Sequence, residues 1–325
     1  MQLFRMESSD NSEKILPRAA QLSGAISRLY VAISLACFIA LMIAGMEPFD
    51  AMAHAMTTVA TGGFSTSDGS VGNFDNAMVD WIIVTFMIIG SLPFVLYLQL
   101  IRGKPLALWR DDQVRFFIFV VLGLVLSVAG WLALFKDFSF SEALRYGAFN
   151  IISIMTGTGY ATTDYGAWGG FSVSIFFMVM FIGGCAGSTS CGVKIFRYQI
   201  LLATLKTEIK RLSMPHGVFL TKFNGRPVND EALNSVMSFF FLFLVSYVIL
   251  ALLLSMTGLD FITAASGAGT ALANVGPGLG DTIGPAGNFS TLPDSSKWIL
   301  SFGMLLGRLE LFTILVLFTP RFWRT

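Results

Sequence analysis

The stretch Ser153–Gly166, "SIMTGTGYATTDYG", decides how this chain is read. It breaks a strongly apolar sequence with threonines and glycines, and Asp164 is its only charge. The uncharged run Tyr165–Val193 begins at its end. A polar interruption without catalytic side chains has to be explained by what its backbone does.

The surroundings set the solvent. The chain has 325 residues, of which 54% are hydrophobic and 13% charged, and its mean hydropathy is +0.71. Soluble domains carry roughly 25% charged residues, so this composition belongs to a membrane protein. Uncharged runs occur at Leu29–Met46, Trp81–Ile101, Phe116–Phe135, Tyr165–Val193 and Ala232–Leu259. Another, Trp298–Pro320, is interrupted only by Arg308 and Glu310. A helical crossing takes about 20 residues, so six spanning helices are expected.

Net charge is +1, which gives no field to attract nucleic acid. The distribution of charge says more. Arg5, Lys14, Arg18 and Arg28 precede the first span, and Arg102, Lys104, Arg110 and Arg115 follow the second. Lys194, Arg197, Lys206, Lys210, Arg211, Lys222 and Arg226 follow the fourth, and Arg321 and Arg324 lie near the last residue. The other side holds acids such as Glu47, Asp50, Asp68, Asp75 and Asp80, with Lys136, Arg145 and Lys297 as its bases. The positive-inside rule places the basic side, and with it both ends of this segment, in the cytoplasm. Cys37, Cys185 and Cys191 form no CxxC pair, and two histidines offer no zinc pattern. His54 and His216 read as packing or solvent-facing residues. Lys206–Arg226, with Leu201, Leu202, Leu205 and Ile209, reads either as positive-inside charge or as a surface that meets lipid or a partner.

The opening stretch is one of three. "TTVATGGFSTSDG" (Thr57–Gly69) and "ALANVGPGLGDTIG" (Ala271–Gly284) share its composition and its place between two spans on the acidic side. Each follows a segment too short to cross: Asp50–Met56, Glu142–Ile152 and Asp260–Thr270. Each of these starts with an acid, which suits the first turn of a helix. Aligned on glycine, the turns read Ala60-Thr61-Gly62, Met155-Thr156-Gly157 and Asn274-Val275-Gly276. Two have a hydroxyl four positions before that glycine, Thr58 and Ser153; the third has Leu272. A unit of helix, turn and helix occurring three times points to a pore. Non-helical backbone at membrane depth survives only where protein buries it or water reaches it, and rings of backbone carbonyls can replace an ion's hydration shell. Without carboxylates, such a site fits a monovalent cation.

Two further features stand out. "GGCAGSTSCG" (Gly183–Gly192) is a poor helix, because each glycine costs about 1 kcal/mol relative to alanine. It is either a break or a small-xxx-small packing surface, Gly183 and Gly187. Arg308 and Glu310 are charges inside an apolar run, and an intramembrane charge is a functional-site hypothesis by default. Arg308 alternatively bonds free carbonyls of a broken helix, and Glu310 reads as structural. The chain has no GxxxxGK[ST] or GxGxxG nucleotide motif.

The three turns, the run "GGCAGSTSCGVKIFR" and the ending "GMLLGRLELFTILVLFTPRFWR" together resemble the Trk/Ktr/HKT superfamily of potassium transporters, in particular its bacterial TrkH-type subunits. The resemblance covers essentially the whole chain. It implies an all-α membrane fold of repeated membrane helix, re-entrant pore helix, filter loop and membrane helix units around a pseudo-four-fold pore. Residues 1–24, opening "MQLFRMESSDNSEKI", then read as the cytoplasmic end of a preceding repeat. Residues 25–110 carry a filter at 58–64, residues 111–215 one at 153–159, and residues 216–325 one at 272–278. One repeat is not in the chain, and three quadrants alone are not expected to conduct selectively. The implied filter residues for K+ are Ala60, Thr61, Gly62, Met155, Thr156, Gly157, Asn274, Val275 and Gly276. The implied gate is an unwound loop, with Gly183, Gly184, Gly187, Ser188, Thr189, Ser190, Gly192, Lys194 and the facing Arg308. The resemblance also implies the bacterial inner membrane, contact with lipid, a homodimer and a cytoplasmic nucleotide-binding regulatory subunit, with no covalent cofactor and no enzymatic step. The alternatives are a sodium or ammonium pathway on the same scaffold, a non-conducting fragment, and a redox protein using Cys185 and Cys191.

Overall fold

The computed structural model describes residues 19–214, 217–309, 311–317, 319 and 322–323. Glu310, His216, Arg5, Lys14, Arg18, Arg321, Arg324 and the opening segment lie outside them. The elements are helical apart from one small hairpin.

Among the described residues three helices are long and apolar enough to cross a membrane unbroken: α1 (Ala19–Ile43), then Asp112–Phe135 and Asp230–Met256 further along. Their outward faces carry exposed apolar side chains, among them Val31, Phe119 and Phe241. Such surface is a liability in water and is the natural lining toward lipid. After α1 comes α2 (Pro48–Val59), which starts with proline and has Asp50 in its first turn. Proline suits the first helical position, where its missing N–H has no partner to lose.

The next apolar run departs from a single span. It divides into α3 (Ala77–Gly90) and α4 (Phe94–Ile101), bent by 92°. Pro93 explains the break, because it has no N–H to donate and restricts the residue before it. The spanning helix α5 (Asp112–Phe135) leads to α6 (Phe140–Thr156). A capping box of Ser139 and Glu142 starts α6, and the Ser139 hydroxyl and backbone N–H hold the Glu142 carboxyl below its usual range. The following run keeps helix only over α7 (Gly170–Val179), then unwinds until α8 (Ile195–Ser213). A hairpin, Lys222–Phe223 with Arg226–Pro227, turns at Asn224 and Gly225, both left-handed, as a two-residue hairpin loop requires. Asn224 Nδ2 donates to Asp111 Oδ2 at 3.2 Å and so pins the hairpin beside the start of α5.

The last unit has the spanning α9 (Asp230–Met256), the short α10 (Phe261–Ala273), and a second broken run, α11 (Asp294–Arg308) with α12 (Phe312–Leu317). Leu311, at φ 49, sits in that break. Asp260 caps α10 by accepting from the N–H groups of Ile262 and Thr263, and hydrogen bonding to Thr263 lowers its pKa. Among the described residues, the expected six spanning helices are thus three unbroken ones, with a fourth if the bent α3–α4 pair is one crossing, and the other two apolar runs are interrupted. The unit is a long helix, a short helix, a turn and a broken helix.

The short helices have 12, 17 and 13 residues. At about 1.5 Å per residue none reaches the roughly 30 Å of the hydrocarbon layer. Two of them are largely buried, with every residue from Gly147 to Thr156 and from Thr263 to Ala273 buried, while α2 buries one face and exposes Phe49, Met52 and Met56. A buried ion pair ties neighbouring units. Arg145 on α6 reaches Asp80 on α3 with Nε to Oδ2 at 2.6 Å, and Asp80 is 2% exposed. His54 on α2 is buried with both ring nitrogens bonded, to Asp50 O at 2.7 Å and Ser65 Oγ at 2.9 Å.

Candidate functional site

Each short helix ends in the same way. A left-handed residue closes each helix: Gly157 (φ 73) and Asn274 (φ 54) directly after theirs, and Thr61 (φ 50) one residue later, after the right-handed Ala60. Its N–H returns to the carbonyl three residues back, on Thr58, Ile154 and Ala271. The next N–H reaches five residues back: Gly62 to Thr57 at 2.7 Å, Thr158 to Ser153 at 2.9 Å, and Val275 to Thr270 at 3.0 Å. This pair of bonds is the Schellman closure of a helix C-terminus. A second left-handed residue follows: Gly63 (φ 67), Gly159 (φ 85) and Gly276 (φ 117).

This geometry corrects the register drawn from sequence. Gly62, Gly157 and Gly276 are not equivalent; Gly63, Gly159 and Gly276 are. Aligning on glycine misled because threonine and asparagine occupy the first left-handed position in two turns, and asparagine tolerates it well. The equivalent hydroxyls become Thr57, Ser153 and Thr270, so the third turn has one after all. Each ties the outgoing strand to its helix. Thr57 Oγ1 donates to Phe64 O at 2.9 Å, Ser153 Oγ donates to Tyr160 O at 2.6 Å, and Thr270 Oγ1 accepts from Gly276 N at 2.9 Å.

The turns lie side by side in chain order. A Cβ on Gly63 would stand 1.7 Å from Thr158 O, and one on Gly159 would stand 2.1 Å from Val275 O. Only glycine allows that approach at a positive φ. No acidic or basic residue occurs within 57–64, 153–160 or 270–278. Met155 points away from this surface into the hydrophobic core, and Thr156 Oγ1 pairs with Thr158 Oγ1 at 2.7 Å.

Beneath the turns runs the loop 183–192. Ile182 and Val193 form a parallel bridge, and Gly183 N donates to Val193 O at 2.8 Å. Gly184, Gly187 and Gly192 lie along this folded-back strand. The loop and the break in the α3–α4 run satisfy each other. Cys185 N donates to Ser91 O at 3.0 Å, Thr189 N to Gly90 O at 3.1 Å, and Phe94 N to Gly187 O at 3.0 Å. Two unwound segments in an apolar setting thus supply each other's missing backbone partners. Upward, the loop grips the ends of two short helices. Thr189 Oγ1 donates to Val59 O at 2.8 Å and Ser190 Oγ to Thr156 O at 2.7 Å, while Thr61 Oγ1 donates to Thr189 O at 2.9 Å. Ser188 Oγ donates to Cys185 O at 2.6 Å, and Lys194 Nζ donates to Ser190 O.

Arg308, at the end of α11, donates from Nη1 to Cys191 Sγ at 2.7 Å. Asn274 Nδ2 donates to Met304 O at 3.1 Å and holds the third turn against the same helix. A cavity of about 360 Å³ opens there, with Ala60, Asn274, the loop from Ser188 to Gly192, Lys194 and Arg308 on its walls. Gly183, Gly184 and Gly187 stand outside it. Arg197 also lines the cavity, stacked 3.9 Å over the Phe239 ring, a role that its place in a basic loop does not reveal. Gly90, Ser91 and Gln113, whose Oε1 accepts from Ala186 N at 3.0 Å, were likewise invisible as partners of the loop. The Pro93 break was their one available signal.

The family described as TrkH, cation transport protein, matches residues 1–325. The Trk system potassium uptake protein TrkI of Halomonas elongata is 46% identical over 325 residues, which is 100% of this chain and 66% of that protein. The Trk system potassium uptake protein TrkH of Escherichia coli K12 is 38% identical over 330 residues, 100% of this chain and 67% of that protein. The crystal structure of the potassium transporter TrkH from Vibrio parahaemolyticus superposes with a TM-score of 0.89 at 37% identity, covering 95% of this chain and 66% of that one. The chain thus spans about two thirds of the length of these relatives. It belongs to the TrkH family of cation transport proteins.

Proposed function

We propose that the chain forms the ion path of a potassium uptake protein that works as a gated, channel-like pore. The observation that carries this reading is the set of three helix ends with one shared double left-handed turn, uncharged and side by side above a cavity. An ion entering from outside exchanges water for backbone oxygens of Ala60–Gly63, Met155–Gly159 and Asn274–Gly276. Neutral oxygens bind a monovalent ion weakly enough to release it, and the helix C-termini add negative potential. Units 25–110, 111–215 and 216–325 each supply one quadrant.

Below, Gly183–Gly192 and Arg308 act as the gate. In the observed arrangement the loop's hydroxyls occupy helix-end carbonyls, and the guanidinium faces the cavity, where it opposes cations. The path needs no covalent step and no cofactor. The basic ends face the cytoplasm of a bacterial inner membrane, and the family resemblance supports a homodimer with a cytoplasmic nucleotide-binding regulator.

The test is rubidium uptake with sodium competition, by the complete transporter in cells lacking their own potassium transporters. Gly159→Ser puts a Cβ against Val275 O and is expected to relax rubidium-over-sodium preference. Arg308→Ala is expected to raise flux. Unchanged transport in both variants would remove the pore reading, and a wild type that prefers sodium or ammonium would change its ion.

A further inference from the structure

Three residues past the first left-handed position, the three turns carry Phe64, Tyr160 and Pro277. Only Tyr160 has a hydroxyl. Its side chain is fully buried at 0% exposure, and its Oη lies 2.5 Å from Thr57 Oγ1 and 3.3 Å from Phe64 O, both in the neighbouring turn. Thr57 has one proton, and its Oγ1 lies 2.9 Å from Phe64 O and 2.9 Å from Ala53 O in its own helix. With the tyrosine donating to Thr57, and Thr57 donating to the Phe64 carbonyl, the two hydroxyls form a relay across the joint.

The next lateral joint is built differently. Between the second and third turns Gly159 abuts Val275 O and the Pro277 ring, and proline offers neither N–H nor hydroxyl. One joint is therefore hydrogen-bonded through side chains and the other is backbone packed on backbone. The first is also backed further out, where Gly72 N donates to Ala161 O at 3.1 Å and Ala161 N to Ser70 Oγ at 3.2 Å. Removing the tyrosine hydroxyl therefore leaves that joint in place but loosens its inner end.

We infer that Tyr160 and Thr57 are positioning residues that set the spacing between the first and second turns, and through it the ion preference of the filter. The inference rests on the filter reading above. A buried tyrosine that merely satisfies its hydroxyl would affect stability and leave preference alone, which separates the two roles.

The experiment measures rubidium-over-sodium preference in the complete transporter, with the amount in the membrane determined for each variant. Tyr160→Phe is expected to lower the preference about fivefold, roughly what one buried hydrogen bond is worth. Thr57→Val is expected to do the same, Thr57→Ser to retain wild-type preference, and the Tyr160→Phe/Thr57→Val double variant to be no worse than either single one, since both cut one relay. Gly159→Ser is the reference for the filter itself. If Gly159→Ser alters preference and Tyr160→Phe does not, the relay is overturned while the filter stands. Additive loss in the double variant, or loss in Thr57→Ser, overturns it as well. If Gly159→Ser also leaves preference unchanged, the filter reading fails and the relay falls with it.

Discussion

Ser190 occupies a demanding position. Its hydroxyl donates to Thr156 O at 2.7 Å and accepts from Gly184 N at 2.8 Å, and the side chain is 3% exposed. Replacing it with alanine strands the buried Gly184 N–H, at a cost of about 1–3 kcal/mol, and leaves Thr156 O only the longer bond from Cys191 N at 3.3 Å. Those groups are paired only while the loop stays folded under the second turn, so the loss falls on the closed arrangement. Ser190→Ala is therefore expected to raise basal rubidium flux at least about fivefold, measured in the complete transporter at equal expression. Unchanged flux would show that this contact does not hold the gate. Thr61 makes the complementary contact from above. A β-branched residue at φ 50 is unusual, and its hydroxyl bond to Thr189 O ties the strained turn to the loop.

Among the elements, α3 and α6 are joined by the most buried ion pair described. Asp80 sits at 3% side-chain exposure and Arg145 at 17%, and Arg145 also reaches Asp75 Oδ1 at 3.5 Å. Removing one partner of a buried pair leaves an uncompensated charge, at a cost of about 3–5 kcal/mol. Arg145→Met is thus expected to destabilise the detergent-solubilised protein by that order, seen as an early thermal transition. Adding Asp80→Leu is expected to recover most of the loss, because two apolar residues leave no stranded charge. A double variant as unstable as Arg145→Met would assign the effect to packing of the arginine stem. The same scale explains the paired breaks. The interruption after Gly90 and the loop at 183–192 are each poor structures alone, and each completes the other's hydrogen bonds.

At the scale of the whole molecule, the positive-inside pattern of the sequence expects most basic residues on one side of the membrane. The hairpin that carries Lys222 and Arg226 lies beside the start of α5, with Arg226 exposed. If that side is cytoplasmic, a membrane-impermeant maleimide labels Arg226→Cys in inside-out vesicles and not in intact spheroplasts, in a background where the native cysteines are replaced. Labelling from outside would invert the proposed orientation and with it the direction of ion entry.

The sequence alone determined the solvent, the helical element type and where the three short helices stop. Hydropathy is a local sum, and glycine and threonine clusters are local facts. Hence the membrane class, the three short helices and the break at Gly183–Gly192 were all legible. The tertiary structure alone decided three things. It set the register of the turns, since a left-handed residue is read from backbone angles that Thr61 and Asn274 adopt as well as Gly157 does. It joined Ser91 to Cys185 and Arg308 to Cys191. It also turned Tyr160 toward Thr57. Such contacts link residues far apart in the chain, and no spacing or composition encodes them. A loop carbonyl needs a donor, but which donor reaches it depends on how all the helices pack.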